Sequence, residues 1–114
     1  MSNEQSDLKA FKEGMGAHFA AECSGKKTET AQIYTGKCLL AAGLLYTNGT
    51  NDASLILYDG TTDAGKIILE VYAKGADGQG PFGAVERKVR CQTGIYAVLT
   101  GTGAYFLVDY VARV

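Results

Sequence analysis

Four stretches of the chain are apolar at consecutive positions rather than alternate ones. They are Leu39-Leu40-Ala41-Ala42-Gly43-Leu44-Leu45-Tyr46, Leu55-Ile56-Leu57-Tyr58, Ile67-Ile68-Leu69 and Tyr105-Phe106-Leu107-Val108. All four are short and set among glycine-rich segments, which predicts strands rather than helices. An antiparallel strand with one face in water alternates apolar and polar residues; these do not. A single domain of 114 residues has too little interior to cover both faces of four strands. The surplus predicts contact with other copies of the chain, and an assembly role before an enzymatic one.

From Thr28 onward the pattern is that of strands, expected at about 29–35, 38–47, 53–59, 66–73, 83–92, 95–100 and 104–112. Asn48-Gly49, Asp59-Gly60, Ala64-Gly65, Asp77-Gly78 and Gly101-Thr102-Gly103 punctuate them. Asn-Gly and Asp-Gly supply the positive φ that tight hairpins need. Short strands recurring about every ten residues predict an all-β fold over residues 28–114. The expected form is an antiparallel β-sandwich or jelly roll of about seven strands. Val85-Glu86-Arg87-Lys88-Val89-Arg90-Cys91 does alternate, with Glu86, Lys88 and Arg90 on one face. It reads as a half-exposed or edge strand whose charges face solvent or an acidic neighbour.

Residues 1–27 read as an N-terminal arm. Leu8, Phe11, Met15, Phe19 and Cys23 recur at intervals of three and then four, one face of an α-helix that Ser6 or Asp7 would cap. Gly14 and Gly16 weaken it by about 1 kcal/mol each. The arm is therefore expected to order by docking on its own sheet or on a neighbour. Ser24-Gly25-Lys26-Lys27 reads as a linker.

Charged residues make up 20% of the chain and the formal net charge is −1, which gives no electrostatic footprint for nucleic acid or an anionic membrane. No apolar run approaches the ~20 residues that span a bilayer. The N-terminal Met-Ser-Asn-Glu-Gln-Ser-Asp lacks a signal peptide's basic start and apolar stretch, so folding in a reducing cytoplasm is expected. Cys23, Cys38 and Cys91 form no CxxC pair and read as free thiols in apolar positions; a bridge between two of them, or to another subunit, is the alternative.

The segment Thr35-Gly36-Lys37-Cys38-Leu39-Leu40-Ala41-Ala42-Gly43-Leu44-Leu45 is followed by Leu55-Ile56-Leu57-Tyr58-Asp59-Gly60-Thr61-Thr62-Asp63-Ala64-Gly65-Lys66-Ile67-Ile68-Leu69. The pattern closes on Gly94-Ile95-Tyr96, Thr100-Gly101-Thr102-Gly103-Ala104 and the strand after it. With these blocks, residues 33–112 resemble small β-sandwich structural proteins of tailed-bacteriophage and prophage virions. The resemblance implies a capsid decoration or cement protein, a head-fibre base, or a small tail or neck component. It implies no catalytic residues and does not extend to residues 1–27.

Chemistry-bearing patterns are few. His18 is the one histidine and sits among glycines, a poor base for a Ser-His-Asp or Cys-His site. Asp59, Asp63, Glu70, Asp77 and Asp109 offer carboxylates, but the aspartates read as turn residues. Asp52, Asp59 and Asp63 offer at most a loose Ca²⁺ site without EF-hand spacing. The glycine-rich segments 75–80 and 101–103 lack the lysine of a phosphate loop. Seven tyrosines fill strand faces or, less plainly, form a sugar-stacking platform.

The expectation is a non-enzymatic virion structural protein without cofactor or metal, made in the host cytoplasm. It binds the particle as a homo-oligomer, a trimer being what the resemblance favours, and its partner is the major capsid protein or another virion protein. The subunit contact is expected among Leu55, Ile56, Leu57, Ile67, Ile68 and Leu69, with the inward set left open. Leu8, Phe11, Met15 and Phe19 form the particle-docking arm, or else pack on their own domain. The alternative function is a receptor- or carbohydrate-binding module of a head fibre or tail component.

Overall fold

The computed structural model describes residues 21–112. Nine strands run through them: β1 Glu22–Cys23, β2 Ala31–Thr35, β3 Cys38–Tyr46, β4 Ala53–Asp59, β5 Lys66–Ala73, β6 Phe82–Ala84, β7 Val89–Cys91, β8 Gly94–Thr100 and β9 Tyr105–Val111. A 3-10 turn occupies Gly75–Asp77. Every strand pairing is antiparallel. One sheet has the order β1-β9-β3, with β6 and β7 sharing the far edge of β3; the other has the order β2-β8-β4-β5. The all-β antiparallel expectation is met, and six of the seven expected strands appear within two residues of their bounds as β2, β3, β4, β5, β8 and β9.

Both sheets feed one buried cluster. Leu40 and Leu45 come from β3, Leu55 and Leu57 from β4, Ile95 from β8, and Phe106 and Val108 from β9, each fully buried. Burying such side chains contributes about 1.5–3 kcal/mol apiece. Gly43 shows how closely the sheets approach. A Cβ there would stand 2.3 Å from Leu69 Cδ2 and 3.2 Å from Leu57 Cδ1, so β3 presses its backbone against β4 and β5 side chains.

Three features depart from the expectations. The strand expected at 83–92 is two short strands separated by a loop, in which Glu86 adopts a φ of 59°. The loop answers a bulge in β3 between Leu40 and Ala42. Arg87 donates its N–H to the Ala41 carbonyl at 2.7 Å and Nη2 to the Ile68 carbonyl of β5 at 3.0 Å. Val85, whose alternation places it on the face opposite Glu86, Lys88 and Arg90, is 61% exposed. Glu86, Lys88 and Arg90 are exposed, as a solvated face requires.

Second, the linker read at Ser24–Lys27 is held to the sheet. The Ser24 N–H donates to Val108 O and its hydroxyl accepts from Val108 N, at 2.8 and 2.9 Å; Lys27 exchanges both backbone bonds with Phe106. Among the described residues the strands thus begin at Glu22 rather than Thr28, and Cys23 lies in a strand, not at the end of a helix. Leu8, Phe11, Met15, Phe19, His18 and the helix reading before Ala21 lie outside the described residues.

Third, not every turn glycine supplies positive φ. Gly49 and Gly78 do, at 88° and 105°. Gly60 instead provides room, since a Cβ on it would press on the Gly65 backbone at 3.3 Å.

Candidate assembly surface

The register of β4 decides which apolar residues serve the chain's own core. Leu55 lies between Leu99 and Val71, and Leu57 between Ala97 and Leu69. Alternation sends Ile56 and Tyr58 to the opposite face. There Ile56 is flanked by Val98 on β8 and Glu70 on β5, and Tyr58 by Tyr96 and Ile67. Ile56, Tyr58, Tyr96 and Val98 are partly exposed and Ile67 is 47% exposed. Glu70 is the one charge in these two rows.

A bulge sets this arrangement. The pairing shifts between Leu57 and Tyr58, so that β5 carries Ile68 as an extra residue. Ile67 then points out with Tyr58, while Ile68 turns inward and is 7% exposed. Strict alternation along β5 would put Ile67 on one face with Leu69, and the bulge separates them. Leu55, Leu57 and Ile68 are buried in their own core and Leu69 packs against it, so they are not available to a second subunit. Of the expected contact residues, Ile56 and Ile67 face outward. Tyr58, Tyr96 and Val98 belong with them and were missed; only cross-strand register assigns them, and one sequence does not supply it.

The five-stranded sheet has an apolar outer face as well. Leu44 stands opposite Leu107, and Tyr46 opposite Tyr105 with the rings stacked at 4.5 Å and 6°. Lys26 places its ammonium 4.5 Å from the Tyr105 ring centre, a cation–π contact. Gly83, opposite Leu44 on β6, offers no side chain to cover it.

The polar residues mostly organise turns. Asp59 accepts from the N–H groups of Gln92, Thr93 and Gly94 at 2.9, 2.8 and 3.2 Å. Desolvation pushes its carboxyl up, but the three donors together with Lys66 outweigh that and hold it below its ordinary value. Asp52 accepts from Gly75 N–H at 3.0 Å. Asp52 and Asp59 flank opposite ends of β4, separated by about 20 Å of strand, so the loose Ca²⁺ set is not brought together. Among the described residues no cluster of three His, Cys, Asp or Glu is placed to hold a metal. Cys38 and Cys91 face each other across β3 and β7 as buried free thiols. Burial, the Cys38 thiol and Asp59 push Cys91 up to about 12. Cys23 is free and exposed.

Comparison of the chain with protein-family models, with curated proteins and with solved structures finds no match.

Proposed function

We propose that the chain is a virion structural protein that assembles through the outer face of its four-stranded sheet. The observation that carries the reading is the patch of Ile56, Tyr58, Ile67, Tyr96 and Val98 on strands whose other face already fills the core. Moving Ile56 and Ile67 from water into a contact contributes up to about 1.5–3 kcal/mol each, and aromatic residues are the usual interface anchors. The two sheets packed across one cluster support a β-sandwich or jelly-roll reading. The resemblance of residues 33–112 to phage sandwich proteins supports a capsid decoration or cement role. The proposed state is a closed homo-oligomer, a trimer first, attached to the major capsid protein or another virion protein. Residues 1–20, with Leu8, Phe11, Met15 and Phe19, supply the docking arm.

The test is solution mass by light scattering after size exclusion. The wild type is expected to give one closed oligomer. Ile56→Lys with Ile67→Lys is expected to give monomers with an unchanged far-ultraviolet spectrum. A monomeric wild type, or an oligomer indifferent to both lysines, would refute the proposed contact.

A further inference from the structure

A separate feature lies at the Ala53 end of the four-stranded sheet. A groove of about 400 Å³ opens there between Asp52, Ser54, Tyr72, Lys74 and Thr100, with Ala53 and Ala73 beside it. Its size falls at the small end of ligand sites, about 300–1,000 Å³. The register explains its composition: Ser54 of β4 pairs with Thr100 of β8 on one side and Tyr72 of β5 on the other. Two hydroxyls and an aromatic ring thus share one cross-strand row about 10 Å wide.

Tyr72 is 67% exposed, the most exposed large apolar side chain among the described residues. Its hydroxyl donates to Glu70 Oε2 at 2.8 Å. That bond anchors the hydroxyl of a ring that lines the groove. The other lining groups have hydrogen-bonding capacity to spare. Asp52 uses Oδ1 for Gly75 N–H, and no described residue bonds Oδ2, the hydroxyls of Ser54 and Thr100, or the Lys74 ammonium.

We infer that this groove binds a neutral sugar ring, stacked on Tyr72 and held by hydrogen bonds to Asp52, Ser54, Lys74 and Thr100. The charges decide the class. The lining holds one carboxylate and one ammonium, with the Glu70 carboxylate beside it at the Tyr72 hydroxyl; that balance disfavours a phosphate or nucleotide, whereas these groups can bond sugar hydroxyls. The ring supplies the apolar platform that the C–H face of a pyranose needs. Ser54, Thr100 and Tyr72 lie on the same outer face as Ile56, Val98 and Glu70, one cross-strand row away, so the groove borders the proposed subunit contact while sharing no lining residue with it. Solution mass tests one and sugar binding the other.

Saturation-transfer NMR on the full chain would test it, with methyl α-D-glucopyranoside, methyl β-D-galactopyranoside and N-acetyl-D-glucosamine at millimolar concentration as probes. Transfer is expected to the ring protons of at least one probe. Tyr72→Phe keeps the ring and is expected to retain binding. Tyr72→Ala is expected to weaken it about tenfold, with an unchanged amide spectrum as the fold control. No transfer from any probe, equal transfer in Tyr72→Ala, or loss in Tyr72→Phe would each overturn the assignment.

Discussion

Asp59 is a residue at which one carboxylate holds a corner of the fold. Its two oxygens take three successive N–H groups at the start of β8, while Gly60 N–H donates to Gly94 O at 3.2 Å. The β4 end and the β7–β8 turn are therefore fixed by one side chain. Hydrogen bonds to a charged acceptor are worth about 1.5–3 kcal/mol, and Asp59→Ala is expected to lose an amount of that order in denaturant unfolding. The pH dependence has a definite sign. A carboxyl held below its unfolded value of about 3.9 stabilises the fold above that pH, and the contribution is lost as pH falls through the lower folded value. Asp59→Asn is expected to flatten the acid limb of a thermal-stability profile below about pH 4. A limb as steep as that of wild type would show that other carboxyls govern acid unfolding.

At the scale of the element, β1 is two residues long yet seals an edge. β9 pairs with β3 on one side; on the other, Glu22, Cys23, Ser24 and Lys27 take up its backbone groups. A chain beginning at Ala21 keeps that cover, and one beginning at Thr28 exposes the edge of β9, an invitation to edge pairing. The shorter chain is expected to have a lower midpoint in urea and to aggregate on concentration, while the longer one remains near full-length stability. Equal midpoints would mean that β1 contributes nothing. No reading of Glu22-Cys23 alone finds this strand, because two residues carry no period. β4 and β8, by contrast, were legible at their bounds, since Asn48-Gly49, Asp59-Gly60 and Gly101-Thr102-Gly103 bracket continuous apolar runs. Which face of β4 was core was not legible. Both of its faces are apolar and only cross-strand partners tell them apart, while on β5 the bulge opposite Leu57/Tyr58, a tertiary accommodation, flips Ile67 against Ile68. The break at Glu86 has the same origin, for it follows the bulge in β3 that Arg87 meets.

For the whole molecule, the proposed sandwich puts its two apolar outer faces on opposite sides. They cannot both bind copies of the chain in one closed ring without leaving a stacking surface, and a contact that does not close makes filaments. The proposed division gives the Ile56–Ile67 face to the oligomer and the Leu44–Leu107 face to the particle. The entry of the chain into the described fold favours it, because β1 lies at the edge of the five-stranded sheet beside β9. Leu44→Lys with Leu107→Lys is expected to leave the solution mass unchanged and to lower occupancy on particles assembled without the protein and then mixed with it. Phe11→Ser with Phe19→Ser is expected to do the same. A loss of about 3 kcal/mol in docking lowers affinity about a hundredfold, readable as missing density or missing mass on the particle. If the Leu44 pair instead breaks the oligomer while the Ile56 pair leaves it whole, the faces exchange roles. Full occupancy for both the Leu44 and Phe11 pairs would remove this side of the molecule from particle docking.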